Sequence, residues 1–202
     1  LTYMKDYQIE LSQVLTSASV SRKYFMNHMK ENNPETNQPR CVDTPMYQIP
    51  FHKYLELKPY YYGGRNECFK IGSFKKPLFY YDFTSLYPWV MNLYDYGYGK
   101  YEQIDVRNLP ISRDWFGVIK VRVKSSDFTK LPYLPLKQDG KLLFSHFQEY
   151  KEMWITTHEL HYCIENNLGY EFQPIELLHY QNRKKIFQKP IEQAYKAKQE
   201  AE

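Results

Sequence analysis

Apolar residues recur at helical spacing near both ends of the chain. In residues 3–15 they fall on one face, and a second such run follows Thr16, a residue type that caps helices, up to Met29. Residues 183–202 also show a helical pattern, which Pro190 is expected to interrupt. The intervening residues 31–40 are polar and contain two prolines, so they predict a loop or linker.

Extended segments are predicted in the middle of the chain. Apolar and charged residues alternate through residues 116–124, which indicates a half-buried strand. Residues 170–180 predict another strand, and residues 67–71 and 78–83 predict two strands joined by a turn. Residues 49–62 are rich in aromatic side chains, and we expect them to be extended as well.

Short local signals predict the turns and the remaining helices. Asp139-Gly140 lies between apolar runs, which is typical of a β-hairpin. Thr156 and Glu159 have the spacing of a capping box, and Gly169 can end the helix that begins there. A short helix is predicted after Ser85. Helices and strands are intermixed, so the predicted fold class is α+β.

Composition excludes some classes of protein and leaves others open. The 202 residues are 43% hydrophobic and 25% charged, which is typical of a globular chain rather than a disordered one. The net charge of +4 permits contact with phosphates but does not establish it. The 21 tyrosines suit stacking on nucleic acids, and an AT-rich gene explains them equally well. No apolar run approaches the length of a membrane span, so no membrane partner is expected.

The cysteine and histidine residues do not indicate a disulfide framework or a zinc site. The three cysteines are scattered without a CxxC pair, which favours a reducing compartment. His158, His161 and Cys163 lie near one another on the predicted helix, but a fourth ligand is not apparent. We interpret them as ordinary surface or core residues.

Asp82 closes a predicted strand of aromatic and apolar residues. A carboxylate at such a position is expected to be paired or to bind a cation. Phosphoryl transfer requires rigidly held carboxylates because two Mg²⁺ ions must be coordinated near the reacting phosphate. The simpler alternative is a helix N-cap, a common role for aspartate, and spacing alone favours that alternative.

The longer segment Asp82-Phe83-Thr84-Ser85-Leu86-Tyr87-Pro88 resembles the D-x-x-S-L-Y-P signature of family B DNA polymerases. The resemblance implies that Asp82 binds both catalytic Mg²⁺ ions, with help from the backbone carbonyl of Phe83. It implies that Tyr87, beside Leu86, packs under the sugar of the incoming dNTP and excludes a 2′-hydroxyl. Ser85 would contact the template side or brace the turn. Trp89 departs from the small residue that often follows the proline, which puts the local packing in doubt.

A second segment, Tyr61-Tyr62-Gly63-Gly64-Arg65, lies upstream of the first. Adjacent glycines let backbone amides approach phosphates closely, although a plain tight turn is the simpler explanation. In context the segment resembles the Y-x-G-G element of protein-primed family B polymerases. That resemblance implies that Tyr61, Gly63, Gly64 and Arg65 bind the template strand, and it indicates polymerases of mobile elements, viruses and linear plasmids.

Residues from 115 onward resemble an insertion of the protein-primed branch, most closely that of Maverick/Polinton-type transposon polymerases. The insertion implies contact with a terminal protein and with DNA. The resemblance covers nearly the whole chain and predicts five parts: 1–30, the last helices of a 3′–5′ exonuclease domain; 31–58, a linker; 59–114, the polymerase palm; 115–182, the insertion; and 183–202, the start of the fingers.

The N-terminal helix resembles the last exonuclease motif, Y-x-x-x-D, with one departure. Tyr3 takes the position of the tyrosine, but Tyr7 occupies that of the aspartate and Asp6 lies one residue early. A shift of one residue rotates a helical side chain by about 100°. We therefore expect the exonuclease motif to be impaired.

The chain also lacks two elements that the family requires, namely a second catalytic aspartate in Y-x-D-T-D and a fingers lysine. We therefore expect an internal fragment that is silent alone, although its parent copies DNA from a template, a primer and dNTPs with Mg²⁺. One alternative is a decayed remnant that binds nucleic acid without chemistry. Another is an unrelated domain in which Asp82 is only a helix cap.

Overall fold

A four-stranded antiparallel sheet forms the centre of the larger of two units in the chain. The computed structural model describes Lys30–Asn32, Pro39–Cys41 and residues 49–201. The larger unit consists of Gln48–Phe83 and Lys100–Gln181, and the smaller one includes Thr84–Gly99 and Asn182–Glu202. The two N-terminal helices predicted over residues 3–29, with Tyr3, Asp6 and Tyr7, lie outside the described residues.

We number the elements of the described residues in chain order. The strands are β1 (Lys30–Asn32), β2 (Pro39–Cys41), β3 (Tyr96–Gly97), β4 (Tyr101–Asp105), β5 (Gly117–Ser125), β6 (Leu136–Gln138), β7 (Lys141–Leu143), β8 (Lys151–Thr156), β9 (Tyr170–Tyr180) and β10 (Arg183–Lys184). The helices are α1 (Phe51–Leu57), α2 (Leu86–Leu93), α3 (Thr157–Glu165) and α4 (Gln188–Ala201). None of these helices is long and apolar enough to cross a membrane.

The central sheet has the strand order β4-β9-β5-β8, and each neighbouring pair is antiparallel. The predicted alternation in β5 is confirmed, because Ile119, Val121 and Val123 are completely buried on one face of the sheet. Leu177 of β9 and Leu160 of α3 belong to the same core cluster. The strand predicted over residues 170–180 is confirmed as β9. The mixed α and β content agrees with the predicted class.

Two local signals in the larger unit are also confirmed. β6 and β7 pair as a hairpin around Asp139-Gly140, whose φ angles of 50° and 76° are those of a left-handed two-residue turn. Thr156 and Glu159 form the capping box of α3: the Thr156 hydroxyl accepts the Glu159 N–H at 3.1 Å, and Glu159 Oε2 accepts the Thr156 N–H at 2.8 Å. The helix ends at Glu165, before the predicted stop at Gly169.

The expectation of an extended chain over residues 49–62 is wrong, because α1 occupies Phe51–Leu57. Pro50 immediately precedes the helix, and its fixed φ suits a helix start. Lys53 of α1 is only 5% exposed, and its Nζ donates to Glu56 Oε2 at 2.9 Å and to Glu176 Oε1 of β9 at 3.0 Å. The same Nζ lies 5.3 Å from the ring centroid of Trp154 in β8. These contacts fix α1 on the sheet, which the local aromatic content does not reveal.

The strands predicted over residues 67–71 and 78–83 are absent, and both segments are irregular and exposed. Isolated strands leave their backbone groups unpaired, and no described strand lies beside these segments to form a ladder. Residues 31–32 and 39–40 were expected in a loop, but they lie in β1 and β2, which pair antiparallel. Backbone hydrogen bonds across that pair do not require apolar side chains.

The smaller unit contains α2 in contact with α4, and the short pair β3–β10. The helix predicted after Ser85 is confirmed as α2. Tyr96 packs edge-on against Phe187, with ring centroids 4.7 Å apart. Pro190 does not interrupt α4, because the helix begins at Gln188 and the proline lies in its first turn, where a missing N–H costs no hydrogen bond.

Candidate functional site

Asp82 and Phe83 end the first segment of the larger unit, and both side chains are exposed. No hydrogen bond or ion pair connects the Asp82 carboxylate with any other described residue. Asp82 is not the cap of α2 either, because the N-cap position belongs to Ser85. The alternative of a simple helix cap therefore loses its structural basis.

Ser85, Leu86 and Tyr87 belong to the smaller unit, where they begin α2. Ser85 has a φ of 56° in the left-handed region, which is uncommon for a residue other than glycine. Its carbonyl accepts the first helical hydrogen bond, from the Trp89 N–H at 3.0 Å. The Tyr87 side chain lies in the first turn and is 75% exposed.

The segment of residues 61–65, which we call the double-glycine segment, belongs to the larger unit. It follows a single 3-10 turn at Lys58–Tyr60 and has no regular structure of its own. Tyr61 is 89% exposed. A Cβ on Gly63 would meet no atom within 4 Å, and the φ of Gly63 lies outside the left-handed region. Neither packing nor backbone conformation among the described residues therefore requires a glycine at this position.

Arg65 differs from the rest of the double-glycine segment because its side chain is engaged within the larger unit. Its Nε donates to Glu67 Oε2 at 2.8 Å, and its Nη1 donates to the Pro132 carbonyl oxygen at 2.6 Å. Its guanidinium carbon lies 4.3 Å from the ring centroid of Phe144. The side chain is 24% exposed. Pro132 and Phe144 lie far along the chain, so the local sequence does not reveal them as partners of Arg65.

An apolar groove of about 510 Å³ lies beside the double-glycine segment, entirely within the larger unit. Its walls come from the start of the unit, from β5 and β8, and from the start of α3. Residues lining it include Tyr54, Tyr60, Tyr61, Tyr62, Met153 and Trp154. Burial raises the pKa of Tyr62, with smaller contributions from Tyr60 and Glu159. Sequence reasoning missed this groove, although the aromatic run of residues 60–62 signalled one wall of it.

The described residues do not by themselves fit a two-ion Mg²⁺ site. Asp82 offers one carboxylate and Phe83 one backbone carbonyl, and no group of three His, Cys, Asp or Glu residues gathers in the described part of the chain. Two hard cations require more oxygen ligands than these. Asp82 and Phe83 can therefore supply only some of the oxygen ligands that such a site requires.

The residues considered for zinc have other roles. His161 Nε2 lies 3.0 Å from the Ser112 carbonyl oxygen, at hydrogen-bonding distance. Cys163 is a core residue, and burial raises the pKa of its thiol to about 12, with a smaller contribution from Glu159.

Comparison with known proteins identifies the class to which these features belong. Residues 2–202 match the family of DNA polymerases of type B, organellar and viral. The chain is therefore a member of that family.

A curated relative of the chain is also named as a DNA polymerase. The chain is 25% identical over 195 residues to a protein named "DNA polymerase" from Kluyveromyces lactis. The match covers 93% of this chain but only 18% of that protein, so the chain spans less than a fifth of the relative's length. No solved structure matches the chain significantly.

Proposed function

We propose that the protein carrying this chain is a DNA-directed DNA polymerase that joins deoxynucleotides by a two-metal mechanism. The observation that carries the proposal is the family match, which extends over residues 2–202 and includes the whole D-x-x-S-L-Y-P segment. An exposed aspartate without a partner among the described residues is consistent with a ligand from outside the unit.

In this proposal Asp82 and the backbone carbonyl of Phe83 would help to hold the two Mg²⁺ ions. When bound, the ions would supply positive charge against the charge that develops on the transferred phosphate. Tyr87 and Leu86 contact the incoming dNTP, and the exposed ring of Tyr87 excludes a 2′-hydroxyl. The remaining ligands of the metals come from residues outside this chain, so the 202 residues alone do not polymerise DNA.

The double-glycine segment binds DNA in the same proposal. The open space at Gly63 lets a phosphate chain approach the backbone amides, which a Cβ would obstruct. Tyr61 offers an exposed ring on which a template base stacks. Ser85 contacts the template side. Replication of a mobile element, virus or plasmid and a terminal protein as primer belong to the proposal on resemblance alone.

Primer extension by the complete protein tests the proposal. Asp82→Asn should lower the rate roughly a thousand-fold, because the loss of metal-borne charge stabilisation costs several kcal/mol. Asp139→Asn is the matched control: Asp139 is exposed at a turn whose left-handed φ asparagine also adopts, so its activity should equal that of the wild type. Full activity of Asp82→Asn would overturn the proposed site. DNA binding without any extension by the wild type would favour the inactive remnant.

A further inference from the structure

The side chain of Arg65 connects the double-glycine segment with a loop nearly seventy positions later in the chain. Its N–H groups donate to both Glu67 and the Pro132 carbonyl. Its guanidinium lies over the ring of Phe144, and the guanidinium carbon is 5.2 Å from the ring centroid of Phe69. Planar stacking and forked donation are properties that arginine has and lysine lacks.

The loop that receives Arg65 is itself held firmly. The phenol oxygen of Tyr170, the first residue of β9, accepts the backbone N–H of Tyr133 at 2.8 Å and that of Leu134 at 3.1 Å. The Leu134 side chain is completely buried in the core. The Pro132 carbonyl that Arg65 uses is therefore fixed to the central sheet by the two residues that follow it.

We propose that Arg65 is a positioning residue rather than a phosphate contact, and that Tyr170 is a second positioning residue. Arg65 ties the C-terminal end of the double-glycine segment to the Pro132 loop, and Tyr170 holds that loop on β9. This inference rests on the proposed binding of DNA by the double-glycine segment. It changes the role expected for Arg65, because a guanidinium engaged with Glu67, Pro132 and Phe144 has little left to offer a phosphate.

Equilibrium DNA binding by the complete protein, measured over a range of salt concentrations, tests the inference. Each phosphate neutralised by a side chain contributes about 0.9 to the slope of log K against log salt. Arg65→Ala and Arg65→Lys should both weaken binding roughly ten-fold, the equivalent of one hydrogen bond to a charged group, and both should keep the wild-type slope. Lysine fails here because it keeps the charge but loses the fork and the stacking plane.

Tyr170→Phe should reproduce the roughly ten-fold loss, because it removes the oxygen that holds the loop without altering any charge. Tyr162→Phe is the matched control: Tyr162 is exposed and its phenol oxygen bonds no described residue, so its binding should equal that of the wild type. Thermal unfolding of each variant reports folding separately from binding.

Three outcomes would overturn the inference alone. They are a slope lower by about one phosphate contact in Arg65→Ala, wild-type binding by Arg65→Lys, and a lower melting temperature with unchanged binding in Tyr170→Phe. Absence of DNA binding by the wild type would instead overturn the proposed function, and this inference with it.

Discussion

Replacing Gly63 with alanine should separate stability from DNA binding. A Cβ at this position has no neighbour within 4 Å, and the backbone already has a conformation that alanine can adopt. Alanine restricts the unfolded chain more than glycine does, so the folded state should gain about 0.4–1 kcal/mol. For a unit of this size the gain corresponds to a rise in melting temperature of roughly 2–4 °C. Calorimetry or circular dichroism of the complete protein measures it.

The same variant should bind DNA less tightly. If the glycine serves the approach of a phosphate chain, the added methyl group obstructs it from outside, where the fold leaves space. We expect a loss of about ten-fold or more in affinity for primer–template DNA, equivalent to about 1.4 kcal/mol. Equal affinity in Gly63→Ala and wild type would refute the reasoning, because the glycine would then serve neither the fold nor the ligand.

Gly117 provides the contrasting control. A Cβ there would lie 2.1 Å from the Leu178 carbonyl oxygen, and the φ of 143° disfavours any residue with a side chain. Gly117→Ala should therefore destabilise the central sheet by several kcal/mol, within the range of severe single substitutions. A Gly63→Ala protein that behaved like Gly117→Ala would show that the surroundings of the double-glycine segment differ from those described.

Two further predictions concern the larger unit. Lys53→Met should destabilise it by about 1–3 kcal/mol in urea unfolding, because it leaves Glu176 partly buried without its partner. Burial lowers the pKa of Lys53, but hydrogen bonds and charge from Glu56 and Glu176 outweigh burial, so the net pKa lies above its ordinary 10.5. The wild type should therefore exceed Lys53→Met in free energy of unfolding by the full amount below pH 10.5, and this difference should shrink as the pH rises further. A difference that does not depend on pH up to complete deprotonation of Lys53 would contradict the ion pairs. The side chain of Cys163 lies in the core, and burial raises its pKa to about 12. Cys163 should therefore resist alkylation in the native protein at neutral pH and react on unfolding, whereas exposed Cys68 should react at once. Mass spectrometry of labelled peptides distinguishes the two.

Elements that local signals determine could be predicted from the sequence. The Asp139-Gly140 turn and the Thr156–Glu159 capping box depend on interactions within a few residues, and the structure contains both. The alternation of β5 correctly predicted its buried face, although its partner strands β8 and β9 lie far along the chain. The run of aromatic and apolar residues at 78–83 predicted a strand that is absent. A strand exists only with a partner, and a sequence pattern does not reveal whether a partner is present.

Helix α1 shows a second reason why secondary structure could not be predicted from the local sequence. Its aromatic residues favour a strand, but Lys53 becomes favourable only when Glu176, more than a hundred positions later, lies beside it. Burial of a charged lysine without such a partner is strongly unfavourable, so the segment alone argues against a buried position. Long-range pairing of this kind overrides local propensity and cannot be read from the pattern of the segment itself.

The double-glycine segment shows that neighbouring residues of one motif can serve different ends. A Cβ on Gly63 would meet no described atom within 4 Å, so contact with DNA is the reason that we propose for its small size. The guanidinium of Arg65, two residues later, is engaged by Glu67, Pro132 and Phe144. The resemblance assigns both residues to DNA binding, because a motif match does not distinguish a residue that contacts DNA from one that positions its neighbours. The contacts distinguish the two proposed roles: Gly63, which the fold leaves open, is the candidate for direct contact with DNA, and Arg65, whose guanidinium has partners within the fold, is proposed to position its neighbours.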